Sequence, residues 1–251
     1  MTRTPNFRVF FLGDMALQVV GIDTLPSPHL SQTLRALAHY MRDFPFVSAA
    51  ICAFDNVTLL LKPDTDAKFA LQAVQRALGQ EFSSRAENKG HTHLICFSRA
   101  ALDVEFRSDL AALATHARQS EHEWLTQFCA TVFTVAMIGF KPGFPYLLGL
   151  PEALAMPRLA KPRISVVKGS VAVGGAFAGI YPARSAGGWH VIGVTDAILF
   201  DVARAEPCLF AAGDSVRFEL QEKLIPLLDQ RDQRRRTKCA VPLRTTLCEL
   251  S

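Results

Sequence analysis

Apolar positions along this chain change period several times, and each change marks a new element. Residues 6–20 alternate or run apolar on either side of Gly13-Asp14, which predicts a broken strand or a tight hairpin. Ser27-Pro28 opens a helix: the serine hydroxyl can accept from free first-turn amides, and proline fits where no amide is needed. Leu30, Leu34, Leu37 and Met41 then follow at helical spacing as one stripe. Residues 46–54 and 57–61 read as strands flanking Asp55-Asn56, a two-residue hairpin signal. Asp64 is expected to cap a second helix with the stripe Phe69, Ala73, Val74 and Leu78, and residues 93–97 form a further strand. Strand, helix, strand, strand, helix, strand is the split βαβ order of ferredoxin-like domains.

Two short helices come next. Residues 109–116 place Leu110, Leu113 and Ala114 on one side. Ser120 and Glu123 have the spacing of a capping box, which turns Trp124, Phe128 and Leu125 inward. Residues 139–200 are punctuated by glycine and proline at short intervals, which excludes a long helix and predicts short strands in a small barrel or sandwich. A turn and closing strand follow at Gly213-Asp214 and residues 215–218. The division expected is an α+β domain over 1–98, a helical connection over 99–130, a barrel over 131–222 and a basic tail over 223–251, the tail read as solvated.

Composition changes this picture little. A chain of 251 residues with 49% hydrophobic and 20% charged residues can bury a sizeable core, and a net charge of +4 implies no nucleic-acid partner. The apolar run near the start is too short for a leader core or a membrane span. Six scattered cysteines without a Cys-x-x-Cys pair fit reduced thiols in a cytoplasmic protein. His91 and His93 lack a third ligand at recognisable spacing, so they are read as surface residues and no metal is expected.

No phosphate-cradling Gly-x-x-x-x-Gly-Lys loop and no Gly-x-Ser-x-Gly elbow occur. The chemistry-bearing residues gather in the glycine-rich part. Lys141, Arg158, Lys161, Arg163, Lys168, Arg184 and His190 fall in or beside its turns and could share one mouth. Arg158 and Arg163 each follow a proline, and a guanidinium matches a carboxylate, carbamate or phosphate with two hydrogen bonds; the other reading is a bridge to loop carbonyls. Tyr146, Tyr181 and Trp189 either wall a pocket or pack in the barrel, whereas Phe140 and Phe144 favour packing. Ser170 and Thr195 join the binding candidates, with capping of backbone groups as their other reading.

The run Gly139 to Leu147, the pairs Pro157-Arg158 and Pro162-Arg163, and Gly169-Ser170-Val171 occur in order. Gly179-Ile180-Tyr181-Pro182, Gly187-Gly188-Trp189, Ile192-Gly193 and Thr195 follow. This set resembles the carboxyltransferase-type family containing allophanate hydrolase subunit 1, KipI and the 5-oxoprolinase subunit PxpB. The resemblance implies a cyclophilin-like β-barrel after the ferredoxin-like domain. It also implies a subunit of an ATP-dependent amide- or lactam-hydrolysing complex of the 5-oxoprolinase or allophanate hydrolase kind. Such a complex uses ATP and takes a second barrel-type subunit, similar to PxpC or allophanate hydrolase subunit 2, and a PxpA-like third subunit. The other implied reading is a KipI-like inhibitor that binds a sensor histidine kinase. Apolar residues in the turns, Phe144, Leu147, Leu148, Leu150, Phe177 and Ile180, are expected to form the partner interface. The chain departs from the family pattern at Ala176-Phe177-Ala178 and Val194, where polar pocket groups are expected.

Overall fold

The structure, a computed structural model, describes residues 6–22, 26–78, 90–100, 102 and 104–221; the expected basic tail lies outside them. β1 (Asn6–Phe11) and β2 (Ala16–Ile22) pair as the antiparallel hairpin that the Gly13-Asp14 break implied. Helix α1 (Pro28–Arg42) starts as expected, with Ser27 Oγ accepting from the Leu30 amide at 3.1 Å, and buries Leu30, Leu34, Leu37 and Met41. β3 (Val47–Cys52) and β4 (Asn56–Leu61) form the second hairpin. Its turn sits one residue early: the Ala53 amide donates to the Asn56 carbonyl, which leaves Phe54-Asp55 at the tip.

Helix α2 (Ala67–Leu78) corrects one expectation. Asp66, not Asp64, accepts from the Lys68 and Phe69 amides, at 2.9 and 3.1 Å, while Asp64 turns the chain with φ 64°. The buried face is therefore Ala70, Val74 and Ala77, and Phe69 stays exposed. The strands order as β1-β2-β4-β3, and residues of both helices share one core with the sheet.

The strand expected to complete this sheet goes elsewhere. β5 (Thr92–Ser98) runs parallel to β13 (Ser215–Gln221) along its whole length and belongs to the barrel, so the expected boundary at 98 falls at the end of a barrel strand. Edge strand β1 lies beside β2 instead. The physical reason is the destination of its side chains: Ile95 and Phe97 enter the barrel core.

The remaining barrel strands are β6 (Phe133–Ile138), β7 (Pro145–Leu148), β9 (Ser170–Gly174), β10 (Phe177–Ile180) and β12 (His190–Val194). They close in the order β10-β7-β6-β13-β5-β12-β9. A separate two-stranded sheet joins β8 (Arg163–Val166) to β11 (Ser185–Gly187). Helices α3 (Arg107–His116) and α4 (Glu121–Ala130) pack on the barrel, α4 with the expected Ser120–Glu123 capping box. Phe128 of α4 meets Phe133 and Phe218 at ring distances of 5.1 and 5.0 Å.

The apolar residues assigned to a partner interface are this chain's own core. Phe144, Leu147, Leu148, Leu150 and Ile180 are buried and Phe177 is half-buried. Several of them sit on β7 and β10, inside closed pairings rather than in open loops. Among the described residues no helix is long and apolar enough to cross a membrane.

Candidate functional site

The loop between β6 and β7 shapes one side of a pocket. Within it the Gly139 amide donates to the Phe144 carbonyl at 3.1 Å and the Phe144 amide to the Lys141 carbonyl at 3.0 Å. This tight loop holds Phe140 at φ 66°, a left-handed conformation that a bulky side chain rarely adopts, and leaves the residue 61% exposed. Phe144, next along, is buried and meets the rings of Tyr181 and Trp189 edge-on at 5.2 and 5.5 Å. Glycine is required where those rings lie on backbone. A Cβ on Gly179 would sit 2.9 Å from both the Phe144 and Trp189 rings, and one on Gly187 would strike the Tyr181 hydroxyl.

The resulting cavity, about 650 Å³, is lined by Phe140, Phe144, Tyr146, Arg158, Tyr181 and Trp189, with Leu159, Pro162 and the segment 186–188 around them. That size lies in the range of small-molecule sites. Among the described residues Arg158 is its one charged lining residue. It is exposed and makes no ion pair or side-chain hydrogen bond among the described residues. Its loop is nonetheless fixed on both sides. The Pro157 carbonyl accepts from His190 Nε2 at 3.0 Å, and the Leu159 amide donates to the Gly188 carbonyl at 2.8 Å. Burial pushes the Tyr146 phenol up from its ordinary range, while the positive charge of Arg158 pulls it back. Burial likewise raises Tyr181, to about 12, opposed by a backbone hydrogen bond from Trp189.

Four of the sequence-derived candidates, Arg158, Tyr146, Tyr181 and Trp189, therefore come together, and three do not. Arg163 is the bridge of its second reading. Its Nη2 donates to Asp109 Oδ1 at 2.6 Å, its Nη1 reaches the Trp189 carbonyl at 3.4 Å, and it lies over the Phe106 ring at 5.0 Å. Ser170 is fully buried in β9, its hydroxyl without a partner among the described residues. Thr195 is buried too, and its hydroxyl accepts from the Ala197 amide at 3.2 Å. Of the basic residues expected to share one mouth, Arg158 alone lines it; Lys141 Nζ donates to the Arg184 carbonyl and Arg184 to Ser165 Oγ.

Two kinds of residue were missed. Phe140, assigned to packing, lines the pocket, because the left-handed turn lifts it out of the core. Asp109 is buried on α3 and accepts from the Val191 amide at 2.7 Å as well as from Arg163. Nothing local in the sequence marks it, since its partners are 54 and 82 residues away. The family departures are also placed. Phe177 packs on Phe54 and Tyr146, Ala178 is buried in the barrel core, and Val194 packs against the cluster that contains Trp189 and Val191. Neither these three nor the exposed Ala176 lines the pocket, contrary to the expectation that these changes strip it of polar groups. His91 is exposed as expected, whereas His93 is half-buried with Nε2 at 3.0 Å from the buried Asp214 carboxylate.

The chain thus joins a small α+β sheet unit to a closed barrel that carries an aromatic pocket with a guanidinium at its mouth. Residues 7–210 match the family described as carboxyltransferase domain, subdomain C and D, and the chain belongs to that family. It is 36% identical over 219 residues to a 5-oxoprolinase subunit of Escherichia coli O157:H7, covering 86% of this chain and 97% of that one. It is 29% identical over 226 residues to the protein of the same name from Bacillus subtilis, covering 86% and 93%. Among solved structures it is similar to TTHA0988, with TM-score 0.67 and 27% identity over 84% of this chain. This chain spans only 41% of that protein. The Kluyveromyces lactis urea carboxylase shares the fold, with TM-score 0.69 at 14% identity over 87% of this chain and 22% of that one.

Proposed function

We propose that this chain is a subunit of an ATP-dependent complex that hydrolyses a lactam or related amide, of the 5-oxoprolinase kind, and that its pocket holds a small ring bearing a carboxylate. The observation that carries the reading is the guanidinium of Arg158, which pairs with no side chain among the described residues, at the mouth of an aromatic-walled cavity. A planar guanidinium fork suits a carboxylate, and rigid aromatic faces suit a flat ring. In this reading Arg158 binds the carboxylate, while Tyr146, Tyr181 and Trp189 wall the ring and exclude water. The likeness to the Escherichia coli 5-oxoprolinase component supplies the reaction class.

The pocket's residues do not fit ATP. One lining cation is a poor match for a triphosphate, and the sequence contains no Gly-Lys pair for a phosphate loop. ATP is therefore assigned to the assembled complex and not to this cavity. The partners are a second barrel-type subunit, similar to PxpC or allophanate hydrolase subunit 2, and a PxpA-like third subunit. The test is co-expression with those subunits and measurement of phosphate release on addition of 5-oxo-L-proline. Release that depends on the lactam is expected. A stable complex that releases none with any lactam or ureido compound overturns the reading.

A further inference from the structure

We propose that His190 is a positioning residue that aims Arg158 into the pocket. It deepens the reading above, in which Arg158 binds the anion, but its own evidence is geometric. Arg158 makes no side-chain bond of its own among the described residues, so its backbone must carry its placement. The residue before it is held by His190 Nε2 at 3.0 Å from the Pro157 carbonyl. The residue after it is held by the Leu159 amide on Gly188. Both anchors come from the corner between β11 and β12, where Trp189 also sits. A carbonyl only accepts, so His190 Nε2 carries the hydrogen, and in the neutral ring Nδ1 is then an acceptor. His190 is 3% exposed, and that Nδ1 finds no partner among the described residues. A buried polar atom without a partner is a cost. A histidine placed to serve no more than packing would be better replaced by an apolar residue. The imidazole keeps the donor that reaches Pro157 and tolerates an idle acceptor behind it.

The two tryptophans make this testable without any substrate. Trp124 is fully buried in the α4 core, whereas Trp189, although only 7% exposed, lines the pocket that Arg158 also lines. Iodide, an anion, is concentrated near a fixed cation, while neutral acrylamide is not. The excess of iodide over acrylamide quenching therefore reads whether the guanidinium faces Trp189. The experiment compares wild type with Arg158→Ala, His190→Leu, His190→Gln and the double variant Arg158→Ala/His190→Leu. Loss of the iodide excess is expected in Arg158→Ala and to a similar degree in His190→Leu. His190→Gln, whose amide can donate where Nε2 did, should restore it. His190→Leu should change nothing further once Arg158 is gone. If His190→Leu does not fold by circular dichroism, His190→Asn replaces it, because its shorter amide does not reach Pro157. A retained iodide excess in the leucine or asparagine variant overturns the proposal, as does an Arg158→Ala variant that quenches like wild type. Failure of lactam-dependent phosphate release, by contrast, would overturn the substrate reading and leave this quenching result standing.

Discussion

At the scale of single residues, two Pro-Arg pairs with the same local chemistry lie in opposite environments. Arg163 is consumed by Asp109 and Arg158 is left free, and the difference lies in what reaches each from far along the chain. Arg158→Ala should therefore leave the melting temperature nearly unchanged, since surface changes away from special features alter stability by only ~0.5 kcal/mol. The same variant should weaken calorimetric binding of 5-oxo-L-proline to the assembled complex by roughly 2–5 kcal/mol, the loss typical of a desolvated charge pair. A lowered melt with unchanged affinity would make Arg158 a structural residue. Tyr181 gives a prediction in pH. Its phenol is raised from an ordinary value of 10.0 to about 12, first by burial. A raised group binds its proton more tightly when folded. Its contribution is complete below the unfolded value and is lost as pH climbs through the window between the two. Urea midpoints of the wild type should fall between pH 10 and pH 12, and Tyr181→Phe should flatten that part of the curve. Parallel curves for the two proteins would mean that the phenol is not held protonated by the fold.

At the scale of elements, α3 acts as a clip. Asp109 on α3 binds the Val191 amide of β12 and the Arg163 guanidinium of β8, and Arg163 in turn reaches the Trp189 carbonyl. One carboxylate thus fixes two strands that bracket the pocket's tryptophan. Asp109→Ala should destabilise by about 3–5 kcal/mol, because it leaves a largely buried guanidinium uncompensated. Adding Arg163→Met to an Asp109→Leu variant should recover much of that loss in urea titrations. No recovery would show that the carboxylate's bond to β12, and not the ion pair, holds the site. Local signals had forecast α1 with its serine cap, the capping box of α4 and the paired hairpins closely, because caps, stripes and turns act within a few residues. The start of α2 was misplaced by two residues, since Asp64 and Asp66 are both competent caps and only the turn at Asp64 separates them. The site was half legible. Aromatics and arginines flanked by glycine and proline could be named, but whether each faced a cavity or a buried acid depended on pairings beyond any sequence window.

At the scale of the whole molecule, the sequence pattern marks residues 93–97 as a strand without saying which sheet receives it. Its place in the barrel, parallel to β13, means that the chain enters the barrel at β5 and completes that pairing only with its last described strand. The two halves also meet through side chains. Phe54, at the tip of the β3–β4 hairpin, packs 5.1 Å from Phe177 and 6.4 Å from Tyr146, and Tyr146 is a wall of the pocket. Phe177 thus belongs to an aromatic joint between the two halves. Edge-to-face pairs contribute ~0.5–1.5 kcal/mol each beyond the area they bury. Phe54→Ala should therefore lower stability by roughly 0.5–1.5 kcal/mol in urea titrations from its edge-to-face contact with Phe177 alone, with the more distant, tilted ring of Tyr146 adding to that. It should also weaken lactam binding, although Phe54 does not line the cavity, because Tyr146 loses the ring that backs it. Phe177→Leu, which keeps bulk but not the ring geometry, should show a smaller effect of the same sign on both measurements. A Phe54→Ala protein with wild-type affinity and reduced stability would show that the joint holds the halves together without shaping the pocket.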